Sequence, residues 1–296
     1  MVLDSILMFI GYIDDSGSTE SHLVTLSCLV GYAPTWQKVE QAWLDCLDKK
    51  NTQLKRAGRT EMRRYHAADC SQYYGDFKDW KPDEQREFTS CLIKVFQDYP
   101  LAVSSYTLNL KDLIAEFPEA KDDSYGATAL AQIILFTHIV VFIADKVLSD
   151  PRYVDDQITL IHDRSDYNAV LAEAFKHLKN DESFIHRDRF TTISPMGWET
   201  CVPLQPADLI AYENFKIVER EAAGVKRRKS MELILNLDSF AGRGVKLKPE
   251  AFKEIRRKHT DESVRILFEN ARIRPSQQTN NKVAKHPEQP EPPENT

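Results

Sequence analysis

The 296-residue chain lacks the motifs of several large enzyme classes. It contains no P-loop, no glycine-rich dinucleotide motif and no nucleophile elbow, so the usual signatures of nucleotide-binding proteins and serine hydrolases are absent. Its few cysteines form no CxxC pair and are too scattered to predict a disulfide scaffold or a zinc site. Reduced thiols and a cytoplasmic protein are therefore expected. The cysteines are Cys28, Cys46, Cys70, Cys91 and Cys201.

From the sequence, we also expect no apolar run long enough to cross a membrane. The stretch from Ala129 to Ala144 contains Gln132 and His138 and has about 16 residues, whereas a spanning helix needs about 20. We predict a buried central helix there and no membrane partner. The first ten residues carry Asp4 and no basic start, so they do not have the pattern of a signal peptide.

Excess positive charge is absent overall, because the formal net charge is −6. This net charge argues against a protein whose whole surface is basic and binds nucleic acid. The charge is uneven, however: residues 214–258 hold 13 Lys and Arg against 6 Asp and Glu, with Lys226-Arg227-Arg228-Lys229 at the centre. Such a cluster can neutralise phosphates or can be a solvated helix face, and the sequence leaves both interpretations open.

The most informative segment is Asp14-Asp15-Ser16-Gly17, which follows the apolar run Met8–Ile13. We predict a strand that ends by delivering two carboxylates into a tight Ser-Gly turn at the edge of the core. Ionised acids are costly there unless a cation balances them, and a bound divalent cation is the favoured balance. The alternative is an ordinary turn, since Asp, Ser and Gly are common turn residues.

Two further acids follow at comparable places. Asp163 closes a second strand-like run that begins at Gln157. Asp208 is predicted at the third position of a helix capped by Gln205, on a packed stripe with three apolar or aromatic side chains, although the helix dipole alone could account for an early acid. That stripe comprises Ala211, Tyr212 and Phe215.

Strand alternation distinguishes the two acids of the first motif. If the strand continues through both, Asp14 shares a face with Tyr12 and Asp15 points to the other face. We therefore favour Asp14 for the cluster and give Asp15 a supporting or turn role. Glu213 lies about 140° around the helix from Asp208 and is left open as a fourth acid. His162 is expected to face away from the cluster.

These segments resemble the domain-of-unknown-function 3800 family, a branch of the ribonuclease H-like superfamily. The resemblance rests on the order of Tyr12-Ile13-Asp14-Asp15-Ser16-Gly17, Ile161-His162-Asp163-Arg164-Ser165 and Leu204-Gln205-Pro206-Ala207-Asp208-Leu209. A weaker similarity is Tyr65-His66-Ala67-Ala68-Asp69. Asp15 stands where the family usually has Glu, which puts a direct metal contact at position 15 in doubt.

The resemblance implies an α/β fold with a ribonuclease H-like mixed sheet flanked by helices, and a nuclease that binds Mg2+ or Mn2+. Asp14 would bridge two metal ions, Asp163 would ligate from a neighbouring strand and Asp208 from the helix. Two such ions can activate water and stabilise the leaving oxygen of a phosphodiester, and hard cations prefer carboxylate oxygens. His66 is the candidate proton shuttle or water-orienting group. DNA or RNA is the implied substrate.

Two alternatives remain. A haloacid-dehalogenase-like phosphohydrolase also begins with an Asp at a strand end, but it requires a second Asp where this chain has Ser16. A non-catalytic nucleic-acid-binding or regulatory module, of a defence or toxin system for example, would keep the fold without the chemistry. Metal binding would separate that module from a nuclease.

The predicted organisation is one ribonuclease H-like domain over residues 1–274. It carries an inserted loop around residues 50–80 and a basic helical extension around residues 214–274, and it is followed by a disordered, apolar-poor tail over residues 275–296. Strands are predicted at 22–32, 101–108, 157–163 and 189–193, and helices at 35–49 and 82–97.

Overall fold

The computed structural model describes residues 8–18, 20–120, 124–237, 240–241 and 244–258. The strands are β1 (Met8–Ser18), β2 (Leu23–Tyr32), β3 (Leu101–Asn109), β4 (Gln157–Asp163), β5 (Phe190–Met196), β6 (Phe240–Ala241) and β7 (Gly244–Lys246). The helices are α1 (Ala33–Arg56), α2 (Ala67–Gln72), α3 (Pro82–Asp98), α4 (Leu110–Glu116), α5 (Ser124–Ile143), α6 (Asn168–Asn180), α7 (Leu204–Ala222), α8 (Lys229–Leu235) and α9 (Pro249–Lys258).

The strands form one mixed sheet in the order β5-β4-β1-β2-β3-β6, with β7 also paired to β3. β1 is antiparallel to β2 and parallel to β4, and β5 is parallel to β4. The predicted α/β class with a mixed sheet is confirmed. This order places β1 and β4 side by side, with their carboxyl ends at the same edge of the sheet.

Helices cover both faces of the sheet and enclose two apolar cores. One core contains Ile13 and Leu160 of the sheet and the apolar side chains of α5 and α6. The other contains Tyr12 and Leu29 together with apolar side chains of α1, α3 and α7. Because neighbouring residues of a strand point to opposite faces, β1 contributes to both cores, and its even-numbered residues face α7.

The central apolar helix is buried, as predicted, but it is longer than the sequence run suggested. α5 continues into a π-helical turn at Ala144–Leu148, so the segment Gly126–Leu148 is long and apolar enough to cross a membrane by length and composition. Of its most apolar window, 72% is buried against the rest of the protein. Burial, rather than insufficient length, therefore marks it as a core helix of the kind found in soluble proteins.

Several local predictions are wrong. Asp14-Asp15-Ser16-Gly17 is not a turn, because β1 continues to Ser18 and pairs with β2 throughout. Gly17 permits this approach, since a Cβ there would lie 2.6 Å from the carbonyl oxygen of Leu23. The predicted loop at residues 50–80 is partly helical, because it includes the end of α1 and all of α2. The predicted tail lies outside the described residues, as does the predicted extension beyond residue 258.

The cysteines are free thiols, as expected, but two of them are not scattered in space. The Sγ atoms of Cys46 on α1 and Cys91 on α3 are 3.0 Å apart, and both side chains are partly exposed. Sequence spacing gave no sign of this contact, because it depends on the packing of α1 against α3.

Candidate functional site

Asp14 and Asp15 lie within β1, so their side chains alternate across the sheet. Asp14 follows Tyr12 on the face covered by α7. Strand alternation directs Asp15 toward the opposite face, but its carboxylate is still near enough to act on Asp14 and Asp163. The backbone N–H of Asp15 donates a 2.7 Å hydrogen bond to Oδ1 of Asp14. This bond holds the Asp14 carboxylate against the backbone of β1.

Asp163 is the last residue of β4, and β4 runs parallel to β1. Tyr12 of β1 pairs with Ile161 of β4, and Asp14 and Asp163 each follow two residues later on their strands. Ile161 packs in the core beneath α7, so alternation places Asp163 on the same face as Asp14. The intervening His162 is 2% exposed, and burial lowers its pKa, so it is a core residue on the other face, as predicted.

Asp208 reaches the same face from α7, although the predicted position in the helix is wrong. α7 begins at Leu204 with Pro203 as its cap, so Asp208 is the fifth helical residue and lies outside the first turn. Its Oδ2 accepts a 2.8 Å hydrogen bond from the backbone N–H of Ala67. Every residue from Leu204 to Lys216 is buried, so the predicted stripe was too narrow.

Gln205 is a positioning residue that the sequence interpretation used only as a helix cap. Its Oε1 accepts hydrogen bonds from Nε1 of Trp43, at 3.1 Å, and from the backbone N–H of Tyr65, at 3.0 Å. Gln205 and Asp208 are one helical turn apart. Together they hold the segment Tyr65–Ala67 against α7, so two of the segments that carry the family resemblance are joined by hydrogen bonds.

His66 lies in this clamped segment, directly before α2. Its Nδ1 is 2.9 Å from Oδ2 of Asp69, at ion-pair distance but without the alignment of a good hydrogen bond. Burial lowers the pKa of His66, but the carboxylates of Asp208 and Asp69 outweigh that effect and raise it. The structure therefore brings His66 to the acids, where it contributes positive charge beside Asp208.

Asp14 lies in an electrostatic environment that disfavours its ionised form. Burial raises the pKa of its carboxyl well above the ordinary value, and the carboxylates of Asp208, Asp15 and Asp163 raise it further. The N–H of Asp15 acts in the opposite direction. The carboxyl groups of Asp15, Asp163 and Asp208 are thus near enough to Asp14 for repulsion to raise its pKa.

The ionised forms of Asp163 and Asp208 are also disfavoured, but nearby cations partly offset this effect. Burial is the main cause that raises the pKa of Asp163 to about 6, with Asp15 and Asp208 adding to it and Arg64 lowering it. Burial likewise raises the pKa of Asp208, whereas His66 and Arg64 lower it. The positive charge near these carboxylates therefore comes from Arg64 and His66, which belong to one segment.

The cluster fits a divalent cation in its chemistry but is not a closed metal cage. Throughout the part of the chain that the structure describes, no three His, Cys, Asp or Glu side chains are close enough together to hold one metal ion. The available donors are carboxylate oxygens, which Mg2+ prefers. Mg2+ is commonly held by one or two carboxylates together with water and substrate phosphate, so a preformed set of three is not required.

Glu213 has a structural role away from this cluster. It is 1% exposed, and its Oε1 lies 3.4 Å from Nε of Arg228. Arg228 also donates to Oγ of Ser71 and lies over the ring of Tyr212. The basic cluster is therefore divided, because Arg228 is packed against α7 while the residues around it are exposed.

The basic cluster is also not a helix face. Lys226, Arg227 and Arg228 lie in the loop between α7 and α8, and Lys229 begins α8. Lys226 and Lys229 are exposed, and Arg227 pairs with Glu221. The charges of Lys226 and Lys229 are therefore exposed to solvent, whereas Arg228 is packed against α7.

Comparison with known proteins adds no relative to this description. The chain matches no protein-family model and no curated protein. The similarity to the domain-of-unknown-function 3800 family therefore stays a prediction from the motifs.

Proposed function

We propose that the protein is a nuclease that hydrolyses phosphodiester bonds with Mg2+ or Mn2+ and has a ribonuclease H-like fold. The observation that carries the proposal is the placement of Asp14 of β1, Asp163 of β4 and Asp208 of α7 on one face of the sheet, where burial and the carboxylates of Asp208, Asp15 and Asp163 raise the pKa of Asp14. Folding a chain so that acids repel one another costs stability. Such a cost is typical of functional sites, where a ligand offsets it.

Asp14, Asp163 and Asp208 are the residues that would hold the cation. A divalent ion bound there would polarise a phosphoryl oxygen and lower the pKa of a bound water. The protein itself orients the acids: the N–H of Asp15 holds Asp14, and the N–H of Ala67 holds Asp208. Because one oxygen of each carboxylate is fixed in this way, the other can turn toward a cation or a substrate.

His66 would act as the general acid in this arrangement. Its pKa is raised by Asp208 and Asp69 against the lowering effect of burial, so it carries a proton more readily than an isolated histidine. A protonated imidazole beside the cluster can donate to a leaving oxygen. Asp15 would contribute charge, because its carboxylate acts on both Asp14 and Asp163, and a backbone N–H that holds Asp14, rather than a ligand.

The second candidate is a nucleic-acid-binding or regulatory module without catalysis. The absence of three metal-binding side chains at ligand distance, among the residues described, favours this alternative. The hydrogen bonds from backbone N–H groups to Asp14 and Asp208 also favour it, because they can satisfy the carboxylates without a metal. A nucleic-acid-binding module would share its binding partner with the nuclease and would differ from it in turnover.

A cleavage assay separates the two. Labelled single- and double-stranded DNA and RNA are incubated with the protein and Mg2+ or Mn2+, in parallel with Asp14→Asn and Asp181→Asn. Asp181 is an exposed acid on the loop after α6 and serves as the matched control. We expect cleavage by the wild type and the control, and a loss of orders of magnitude in Asp14→Asn. Equal cleavage by all three proteins, or none, would refute the proposal.

A further inference from the structure

Arg64 lies beside the carboxylate cluster, in the segment that joins α1 to α2. Its position is set from two sides. On one side, Gln205 and Asp208 of α7 bind the backbone N–H groups of Tyr65 and Ala67, the residues that follow Arg64 closely. On the other side, the guanidinium carbon of Arg64 lies 4.5 Å from the ring centroid of Trp198.

Trp198 is itself placed next to the end of β4. Asp163 pairs with Met196 of β5, and the N–H of Arg164 donates to the carbonyl of Met196 at 2.9 Å. Trp198 follows Met196 by two residues. Arg64 therefore extends from α7 toward the end of β4, next to Asp208 and Asp163, the two carboxylates that it influences electrostatically.

The guanidinium has most of its donors unused. Within the described chain, Arg64 has a stacking contact with Trp198 but no ion pair or hydrogen bond from its side chain. Its neighbour Arg63 differs, because its side chain is 80% exposed and its Nε is 3.4 Å from Asp76. An arginine held by a ring, rather than by a carboxylate, keeps its planar set of N–H groups for a ligand.

We propose that Arg64 binds a backbone phosphate of the nucleic-acid substrate directly beside the carboxylate cluster. This inference rests on the proposed nuclease function and assigns a substrate-binding residue to it. A phosphate approaching Asp14 and Asp163 meets negative charge, and Arg64 is the cation positioned to offset that repulsion. Guanidinium groups bind phosphate with two parallel hydrogen bonds, and the stack on Trp198 restricts the side chain before binding.

The test measures binding separately from cleavage. Arg64→Ala, Arg64→Lys and Arg63→Ala are each made in the Asp14→Asn background, which suppresses turnover. Binding of a short labelled single- or double-stranded oligonucleotide is followed by fluorescence anisotropy over a range of salt concentrations with Mg2+ present. We expect Arg64→Ala to weaken binding roughly tenfold and to reduce the slope of log affinity against log salt by about 0.7 for a single strand and 0.9 for a duplex.

The two companion variants make the result specific. Arg64→Lys keeps the positive charge but loses the planar guanidinium that makes two parallel hydrogen bonds. It should therefore retain the slope of log affinity against log salt and recover only part of the affinity. Arg63→Ala should bind like its parent. An unchanged slope in Arg64→Ala, or an equal loss in Arg63→Ala, would overturn the inference and leave the nuclease proposal standing. Failure of both the wild-type protein and this parent to bind any oligonucleotide would overturn both.

Discussion

Replacing Asp163 with Asn should stabilise the metal-free protein, and the gain should depend on pH. Burial raises the pKa of Asp163 from 3.8 to about 6, with Asp15 and Asp208 contributing. A rise of about two pKa units is worth about 3 kcal/mol. Because the carboxyl is partly exposed, solvent screening reduces this to roughly 1–2 kcal/mol.

The sign follows from proton linkage. The folded state binds the Asp163 proton more tightly than the unfolded chain does, so stability falls as the pH rises from about 4 to about 6. Asn cannot ionise and avoids this fall. Asp163→Asn should therefore match the wild type near pH 4 and exceed its stability above about pH 6.

Urea unfolding followed by circular dichroism measures this difference, at pH values from about 4 to about 8 with EDTA present. Asp181→Asn is the control, because its gap from the wild type should hardly change over most of this range. Hydrogen bonds from Ser183 lower the pKa of Asp181, so the stability that its carboxylate adds is lost only as the pH falls below about 4, and the gap should stay nearly constant from about pH 5 to about pH 8. A gap between Asp163→Asn and the wild type that does not change with pH would refute the reasoning, as would a less stable variant at about pH 8.

The remaining predictions concern side chains that support the site. Arg228→Ala removes the cation that lies 3.4 Å from the buried Glu213 and should cost about 3–5 kcal/mol, whereas Lys226→Ala, at an exposed position of the same loop, should change stability by less than about 0.5 kcal/mol. Thermal unfolding compares the two, and equal shifts would contradict the assignment. Gln205→Ala removes the acceptor for two buried N–H groups and should cost about 1–3 kcal/mol; urea unfolding tests it, and an unchanged midpoint would contradict the positioning role.

The parts of the site that follow strand periodicity could be predicted from the sequence. Alternation along Met8–Ile13 and along Gln157–Asp163 placed Asp14 and Asp163 on one face, and the structure agrees. The end of β1 could not be predicted, because Ser16 and Gly17 favour a turn locally while pairing with β2 keeps them extended. Tertiary contacts decided between the two.

The supporting residues depend on contacts between segments that are distant in sequence. Nothing in the local pattern of Gln205 indicates that it accepts from Trp43 and Tyr65. The stack of Arg64 on Trp198 is likewise formed only when β5 lies beside β4. Composition also could not separate the packed Arg228 from its exposed basic neighbours.

Anomalous scattering from crystals of the protein grown with Mn2+ tests whether the carboxylates of Asp14, Asp163 and Asp208 hold a divalent cation. An anomalous peak is expected about 2.1 Å from a carboxylate oxygen of Asp14 and within ligand distance of Asp163 or Asp208. The peak should be absent in crystals of Asp14→Asn. A wild-type crystal with no peak at this cluster, at Mn2+ concentrations in the millimolar range, would contradict a divalent-cation site.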